Sequence, residues 1–259
     1  MKVVILCGGF GTRIRNVDEN LPKPMIPVGR FPILWHIMKY YAHWGHNEFI
    51  LCLGFRSDAI RQFFIDYKYH SGDITIAFGE DADITFHDRH DISDWRITLA
   101  ETGLDTLTGS RVAKIRKYVG GEDFLLTYGD GLSDIDLEAL VGFHNRHGRI
   151  MTVSGVRPPA RFGEIEVDES GLVREFNEKP QATGGRISGG FFVCNNQVFD
   201  YLSESENQML EQEPMNRLVE DGQLMMYKHD GFWQCMDTPR DHRLLSGLEE
   251  QGAAPWRLW

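Results

Sequence analysis

Short, nearly continuous apolar runs alternate with amphipathic segments over the first 155 residues. The apolar runs cover residues 2–7, 48–54, 124–128 and 150–156. Strands that are buried on both faces of a parallel sheet have this composition. Between these runs lie segments with apolar positions at helical spacing, the clearest being Ile33, Leu34, Ile37, Met38 and Tyr41. The alternation predicts strands and helices in βαβ order.

Two later regions show the alternating pattern of half-exposed strands. Residues 73–101 contain such runs, including 96–99, and these predict strands at the edge of the sheet or in an excursion from it. Residues 162–167 and 171–176 alternate on either side of a turn sequence and predict a β-hairpin. Further strands are expected at 186–194 and 223–227, and helices at 214–220 and 239–249.

These elements predict an α/β fold with a doubly wound, mostly parallel, Rossmann-like sheet. Residues 1–155 would form the core, and residues 156–259 a smaller mixed α+β portion that covers one side of the sheet. The chain has 259 residues, which is close to the size at which a single hydrophobic core stops growing. We find no internal repeat or linker, and therefore expect one domain.

The charge and the apolar runs narrow the classes of partner. The chain has 27 Lys and Arg against 38 Asp and Glu, a formal net charge of -11, which argues against a nucleic-acid partner. The first apolar run is too short for a signal peptide, and no stretch approaches the roughly 20 apolar residues of a membrane span. We expect a cytoplasmic protein without a membrane partner.

The cysteines and histidines do not indicate a zinc site. Four cysteines are scattered without a C-x-x-C pair, and we expect them to be reduced and mostly buried. Three histidine pairs have i, i+3 spacing, but none has a cysteine or acidic companion on the same predicted face.

A glycine-rich segment directly after the first predicted strand gives the strongest chemical signal. It reads Gly8-Gly9-Phe10-Gly11-Thr12-Arg13. Glycines here let the backbone approach a phosphate and present N–H groups to it, and Thr12 and Arg13 add further donors. The P-loop motif is excluded because its lysine is absent, and the dinucleotide fingerprint is broken because Ile14 replaces its third glycine. A structural turn is the alternative interpretation of the glycines alone.

Three further residues are candidates for the same chemistry. Lys23 stands between two prolines, which restrict the backbone and direct the ammonium. Asp130 follows an apolar run at the carboxyl end of a predicted strand, where open α/β sheets bind ligands, although Asp-Gly is also a common turn sequence. Asp237 precedes Thr238 at an expected helix start, where it has the alternative role of a helix N-cap.

With these motifs the sequence resembles the sugar-phosphate nucleotidyltransferase family, whose signature combines this G-T-R loop with a P-K-P element. The resemblance runs essentially end to end and points to the members that use CTP and glucose 1-phosphate. It implies the nucleotide-diphospho-sugar transferase type of fold. Further matching segments are Pro32-Ile33-Leu34-Trp35-His36-Ile37-Met38, Thr127-Tyr128-Gly129-Asp130-Gly131, Arg161-Phe162-Gly163, Glu178-Lys179-Pro180, Gly189-Gly190-Phe191-Phe192-Val193, Gly231-Phe232-Trp233-Gln234 and Met236-Asp237-Thr238.

The resemblance implies a catalytic set of Arg13, Lys23, Asp130 and Asp237, with Mg²⁺ on the two aspartates. This ion typically takes one or two carboxylates and leaves its other positions to water and phosphates. The residues implied to bind the nucleotide are Leu6, Gly8, Gly9, Gly11, Thr12, Arg13, Lys23, Thr106, Gly109, Arg111 and Gly129. The residues implied to bind the sugar phosphate are Gly163, Glu178, Lys179, Gly190 and Trp233.

Some of these assignments depend on the resemblance more than on the residues themselves. By composition, residues 102–111 are equally a plain surface turn that leads into a helix through Val112, Ile115 and Val119. Glu178 and Lys179 stand at a strand end, where a charged pair usually faces solvent.

The implied reaction is the attack of α-D-glucose 1-phosphate on the α-phosphorus of CTP, which gives CDP-glucose and pyrophosphate. The resemblance also implies a homo-oligomer and a role in nucleotide-sugar supply for lipopolysaccharide O-antigen. Three alternatives stay open: the same chemistry with UTP, dTTP or another sugar 1-phosphate, a catalytically silent nucleotide-binding regulatory subunit, and an NAD(H)-dependent oxidoreductase. The broken dinucleotide fingerprint argues against the last.

Overall fold

The computed structural model describes residues 1–11, 21–78, 83–87, 92, 94–158, 164–167, 172–177 and 185–259. Five residues that the sequence assigns to the site lie outside these ranges, namely Thr12, Arg13, Gly163, Glu178 and Lys179.

The chain alternates strands and helices in its first half, as its apolar pattern predicts. The strands are β1 (Lys2–Leu6), β2 (Pro27–Val28), β3 (Phe31–Pro32), β4 (Glu48–Leu53), β5 (Ile74–Ala77), β6 (Asp83–Phe86), β7 (Arg96–Glu101), β8 (Phe124–Tyr128), β9 (Gly131–Ser133), β10 (Met151–Val156), β11 (Glu164–Val167), β12 (Val173–Asn177), β13 (Ile187–Cys194), β14 (Leu224–His229) and β15 (Trp233–Cys235). The helices are α1 (Ile33–His43), α2 (Ser57–His70), α3 (Thr108–Lys114), α4 (Arg116–Val119), α5 (Leu137–His147), α6 (Glu213–Glu220) and α7 (Pro239–Glu250), with 3₁₀ turns at Lys23–Met25 and Asn196–Tyr201.

Seven strands form the main sheet in the order β14-β10-β13-β8-β1-β4-β7. Six of them run in one direction, and β13 runs against its neighbours β8 and β10. The sheet is therefore mostly parallel, as the sequence predicts. The portion after residue 155 does not only cover this sheet, because it also contributes β13 and β14 to it.

Both faces of the sheet are buried, which explains the continuous apolar runs. In β1, Val3 and Ile5 face one hydrophobic cluster, and Val4 and Leu6 face the other. A strand covered on two sides has no solvent face and so shows no polar alternation. Trp256 near the carboxyl terminus is fully buried in the first cluster and anchors the end of the chain there.

Small two-stranded sheets account for the regions with alternating patterns. The hairpin predicted at 162–176 is present as β11 and β12. Residues 73–101 divide as expected: β5 and β6 form a separate hairpin, and β7 pairs with β4 at the edge of the main sheet.

Two further findings concern the helices. The helix expected through Val112, Ile115 and Val119 begins earlier, at Thr108, and is divided at Ile115 into α3 and α4. No helix in the described ranges combines the length and apolar character that a bilayer crossing requires.

Candidate active site

The site forms where β1 and β8 end side by side. These strands are parallel neighbours, and Leu6 is paired with Tyr128 in their last register position. The glycine-rich segment follows β1 and Asp130 follows β8. The two strand ends are packed closely. Gly129, which follows β8, donates a 3.1 Å hydrogen bond to the Leu6 carbonyl, and a β carbon at Gly129 would lie 3.0 Å from the same oxygen. β4, the next strand of the main sheet along the chain, lies on one side of β1, and β8 lies on the other side of β1. The strand order therefore reverses at β1, and such a topological switch point is the usual ligand site of open α/β sheets.

A cavity of about 350 Å³ opens beside the glycine-rich segment. Its size is within the usual range for small-molecule sites. Most residues that the sequence assigns to a nucleotide and that the structure describes contribute to its lining. These are Leu6, Gly8, Gly9, Gly11, Lys23, Thr106, Arg111 and Gly129, together with Asp130 and Asp237.

Lys23 reaches this cavity from a 3₁₀ turn with the sequence Lys23-Pro24-Met25. Pro24 and Met25 are buried, which fixes the turn against the core. Gly11 has a φ of 58°, a conformation that favours glycine, and a β carbon there would lie 3.1 Å from Cβ of Lys23. The glycine-rich segment and the lysine turn therefore approach each other closely, as their shared role in the sequence prediction requires.

Asp130 and Asp237 are brought together by pairing between two short strands. β9 follows Asp130, and β15 precedes Asp237, and these strands are antiparallel with Gly131 opposite Cys235. The pairing is extended by a 2.8 Å hydrogen bond from the Met236 N–H to the Asp130 carbonyl. Two carboxylates that are 107 residues apart in sequence therefore face the same point.

That point is occupied by the ammonium of Lys23. Its Nζ lies 2.6 Å from an Asp130 oxygen and 2.5 Å from an Asp237 oxygen. Burial disfavours the charged form of Lys23, but the attraction of Asp130 and hydrogen bonds to both carboxylates outweigh it, so the pKa of Lys23 is raised above its ordinary value. The lysine stays protonated and offsets the repulsion between the two carboxylates.

The two aspartates have the donor chemistry that Mg²⁺ requires. Both side chains are only partly exposed, at 30% for Asp130 and 28% for Asp237. Their oxygens lie within hydrogen-bond reach of a single nitrogen. Hard carboxylate oxygens placed this close together fit an ion that takes one or two carboxylates and leaves the remaining positions to other oxygens.

The alternative role predicted for Asp237, that of a helix N-cap, belongs to the next residue. Thr238 is the N-cap of α7, and it forms a capping box with Asp241. The Thr238 hydroxyl accepts a 3.3 Å hydrogen bond from the Asp241 N–H, while the Asp241 carboxylate accepts from the Thr238 N–H at 2.8 Å. The Asp237 carboxylate is therefore directed to the site instead of to the helix end.

A second cavity, of about 240 Å³, adjoins the first. It is lined by Gly190 and Trp233, the two described members of the predicted sugar-phosphate set, and by Ser188 and Gly189. The Trp233 indole donates a 2.7 Å hydrogen bond to the Gly189 carbonyl, which joins β15 to β13 across this cavity. Asp130 and Asp237 line both cavities, so the carboxylate pair lies at the point where the two meet.

The contacts of Arg111 in the structure are not predicted by the sequence. It lies in α3 instead of in a loop, and its side chain is buried. Its guanidinium donates to the carbonyl oxygens of Gly8, Leu53, Gly103 and Leu104, and to the Thr102 hydroxyl, at 2.6 to 3.1 Å. Burial lowers the pKa of Arg111. The side chain thus holds together the segments that surround the cavity, and direct contact with a nucleotide stays a prediction.

Thr106 and Gly109 differ in their position relative to the cavity. Thr106 lines it and donates a 2.6 Å hydrogen bond to the Thr102 carbonyl. Gly109 lies behind the cavity wall, where a β carbon would be 3.0 Å from the Gln208 carbonyl oxygen. Close backbone packing explains the glycine at this position.

Tyr128 and Met209 are among the cavity-lining residues that the sequence did not predict. Tyr128 lines both cavities, and its ring fills the space beside Gly190, where a β carbon would lie 2.4 Å from the ring. Met209 lines the first cavity from a segment more than 80 residues further along the chain. The position of Tyr128 at the end of the strand before Asp130 was a usable signal, whereas nothing in the local sequence marks Met209.

The four cysteines are free thiols, and Cys7, Cys52 and Cys194 are buried as expected. Cys235 is partly exposed beside Asp237, and burial is the main cause that raises its pKa to about 12. It is therefore a neutral thiol at the site near neutral pH.

Comparison with known proteins identifies the family to which the chain is similar. A sequence profile of the family described as nucleotidyl transferase matches residues 2–241. The chain is also similar to the glucose-1-phosphate cytidylyltransferases of Salmonella typhi and Salmonella typhimurium. Each is 44% identical over 260 residues, with 100% of both chains covered.

The fold is similar to that of a UDP-glucose pyrophosphorylase crystallised with UDP-glucose. The TM-score is 0.69, with 97% of this chain and 98% of that chain covered, at 13% identity. At this identity the likeness concerns the fold alone. It confirms the predicted class, a mostly parallel Rossmann-like sheet with helices on both faces.

Proposed function

The chain belongs to the nucleotidyl transferase family, and we propose that it transfers a cytidylyl group from CTP to α-D-glucose 1-phosphate. The products are CDP-glucose and pyrophosphate. The observation that carries this proposal is the junction of two cavities at Asp130 and Asp237, one beside the glycine-rich segment and one between Gly190 and Trp233. Full-length similarity to glucose-1-phosphate cytidylyltransferases supports the choice of substrates.

The reaction needs charge neutralisation and alignment more than proton transfer. A phosphate oxygen of glucose 1-phosphate forms a bond to the α-phosphorus of CTP, and the bond from that phosphorus to the oxygen bridging to the β-phosphate breaks. The nucleophile carries a second pKa near 6, so it is already mostly dianionic at neutral pH. No general base is required, and catalysis depends on holding two polyanions in line.

We assign the first cavity to CTP. The N–H groups of Gly8, Gly9 and Gly11, with Arg13, would hold the β- and γ-phosphates, since an arginine binds phosphate oxygens through two parallel donors. Lys23 lies next to the junction of the cavities, where its charge would stabilise the α-phosphate as negative charge develops. Gly190 and Trp233 would contact the hexose, and Lys179 would dock the attacking phosphate.

We assign Mg²⁺ to Asp130 and Asp237, whose paired carboxylates fit this ion. When bound there, the ion would neutralise phosphate charge and polarise phosphorus–oxygen bonds. The two carboxylates would hold it at the ends of β8 and β15, and the Lys23 ammonium, which lies between them in this structure, would turn to the α-phosphate. Removal of divalent ions with EDTA should therefore abolish pyrophosphate release, and excess Mg²⁺ should restore it.

We assign the choice of CTP over UTP to the wall of the first cavity that residues 104–108 form. Cytosine presents an N4 amino donor where uracil presents an O4 acceptor. A wall that pairs with one base leaves buried polar groups unpaired with the other, which costs binding free energy.

A product assay with a panel of substrates tests the proposal. The purified chain is mixed with Mg²⁺, glucose 1-phosphate and CTP, UTP or dTTP, and pyrophosphate and the sugar nucleotide are both quantified. CDP-glucose should form with the highest kcat/KM. Faster turnover of another nucleotide, or of mannose or galactose 1-phosphate, would assign different substrates. Tight CTP binding without pyrophosphate release would indicate a regulatory subunit.

We further propose a cytoplasmic homo-oligomer that supplies CDP-glucose for deoxysugar synthesis in lipopolysaccharide O-antigen formation. The hairpin of β5 and β6 supports the oligomer. It is a separate two-stranded sheet, and its paired residues Ile76 and Ile84 are exposed, as is Phe78. Isolated hairpins are marginally stable in water, so a second copy packed on this apolar surface would stabilise it. Light scattering after size-exclusion chromatography measures the oligomeric state.

A further inference from the structure

The wall of the first cavity depends on a segment far away in sequence. Residues 104–108 form this wall, and residues 206–211, which we call the brace, pack against it; Met209 of the brace also lines the cavity. We propose that Asn207 in the brace is a positioning residue that sets the conformation of the wall and so the affinity and base selectivity of the nucleotide site. This inference rests on the proposed function and names a further determinant of its specificity.

Asn207 bridges two backbone groups of the wall. Its side-chain oxygen accepts a 2.7 Å hydrogen bond from the Leu107 N–H, and its side-chain nitrogen donates a 2.9 Å hydrogen bond to the Asp105 carbonyl. Thr106 stands between these two residues and lines the cavity. One amide therefore fixes the backbone on both sides of a cavity-lining residue.

The wall needs this support because its helix has no cap of its own. Leu107 is the N-cap of α3 and has no side-chain oxygen with which to bind the first N–H groups of the helix. The Gln208 carbonyl accepts from the N–H groups of Gly109 and Ser110 instead, at 3.1 and 3.3 Å. The brace thus supplies the missing cap, and Asn207 is the residue that joins this cap to the cavity-lining backbone.

Other contacts place the brace in fixed register with the wall. The Ser110 hydroxyl donates to the Glu206 carbonyl at 2.6 Å, and the Leu210 N–H donates to the Thr108 hydroxyl at 2.9 Å. The Thr108 hydroxyl in turn donates to a carboxylate oxygen of Glu211 at 2.6 Å. These bonds remain when Asn207 is replaced, so its removal should loosen residues 105–107 without releasing the brace.

Because Asn207 is exposed, its effect on the wall can be measured separately from any effect on folding. The residue is exposed and belongs to neither hydrophobic cluster. Truncation of its side chain opens no core cavity, and the free energy of unfolding should change little. Its hydrogen bonds nevertheless order the backbone that a nucleotide would contact, and pre-ordering of a binding loop increases affinity.

The test compares Asn207→Ala with Asn216→Ala, a matched control at an exposed asparagine in α6. In Asn207→Ala, KM for CTP should rise roughly tenfold, from the loss of two hydrogen bonds to the wall. The ratio of kcat/KM for CTP to that for UTP should fall. KM for glucose 1-phosphate and the melting temperature should stay at the wild-type values, and Asn216→Ala should match wild type in every measurement.

A second variant and a binding measurement complete the test. Asn207→Asp keeps the acceptor for the Leu107 N–H but loses the donor to Asp105, so its KM for CTP should lie between those of wild type and Asn207→Ala. An unchanged KM for CTP and unchanged selectivity in both variants would overturn the inference. An equal rise of both substrate KM values would do the same, because it would show a general structural role. Calorimetric titration with CTP tests Asn207 even if wild type releases no pyrophosphate, an outcome that counts against the proposed function alone.

Discussion

The guanidinium of Arg111 donates a 3.0 Å hydrogen bond to the Gly8 carbonyl and fills the space beside its α carbon. A β carbon at Gly8 would lie 2.2 Å from Cζ of Arg111. The same guanidinium binds the Leu53 carbonyl at the end of β4. One buried cation therefore joins the glycine-rich segment to its neighbouring strand, and glycine is required at position 8 by packing as well as by any contact with phosphate.

Gly8→Ala should destabilise the protein, and Gly9→Ala should not. Overpacking beside a buried side chain typically costs about 1–3 kcal/mol, which corresponds to a fall in Tm of several degrees for a chain of this size. A β carbon at Gly9 would meet no atom within 4 Å, which makes Gly9→Ala the matched control. Thermal unfolding of both variants checks the prediction, and equal melting temperatures would contradict it.

Lys23→Ala should reduce kcat by about 10²-fold or more, because the ammonium lies next to the junction of the two cavities and its charge acts on the transition state. Lys117→Ala, at an exposed lysine outside the site, should leave kcat at its wild-type value. Steady-state pyrophosphate release measures both. Normal turnover of Lys23→Ala would remove this residue from the mechanism.

Asp237→Asn and Thr238→Ala should separate function from stability at adjacent positions. Asp237→Asn removes one carboxylate of the proposed Mg²⁺ pair, so the Mg²⁺ concentration for half-maximal activity should rise at least tenfold. Thr238→Ala removes the α7 cap and should lower the free energy of unfolding by about 0.5–2 kcal/mol, with the Mg²⁺ requirement unchanged. Metal titrations and urea unfolding measure the two effects. If both variants altered the Mg²⁺ requirement alike, the assignment of Asp237 would be wrong.

His36 should make the protein less stable in mild acid. Its Nε2 lies 2.8 Å from the Val28 carbonyl, and its Nδ1 lies 3.4 Å from the Trp256 indole nitrogen, which is an N–H donor. The neutral ring can donate at Nε2 and accept at Nδ1, whereas a second proton would face the indole N–H. Burial is the main cause that lowers the pKa of His36 to about 4.

The sign of the effect follows from proton binding. Between pH 6.5 and 4 the unfolded chain binds a proton at His36 that the folded protein does not, so stability falls as the pH falls. The full loss is roughly 3 kcal/mol. Urea unfolding of wild type and His36→Gln over this range isolates the contribution, because His46, whose pKa burial also lowers to about 4, titrates in both proteins. Parallel pH profiles would show that His36 does not titrate as proposed.

Local sequence determined most of the elements and the position of the glycine-rich segment. Continuous apolar runs identified β1, β4, β8 and β10 because strands buried on both faces need no polar positions. Alternating runs identified the hairpin of β11 and β12 because its residues are close in sequence. Lys23 was recognised from its flanking prolines, and the structure places it beside Gly11.

Tertiary structure alone decided how distant segments meet. The proximity of Asp130 and Asp237 depends on the pairing of β9 with β15. The wall at residues 104–108 is supported by the brace at residues 206–211. Arg111 shows the same limit, since the family resemblance predicts that it binds the nucleotide, whereas no local pattern predicts that its guanidinium donates to the Gly8 carbonyl. Periodicity and turn chemistry act over a few residues. The contacts of Asn207 with Leu107 and of Arg111 with Gly8 join residues 100 and 103 positions apart, whose pairing is fixed only when the whole sheet is assembled.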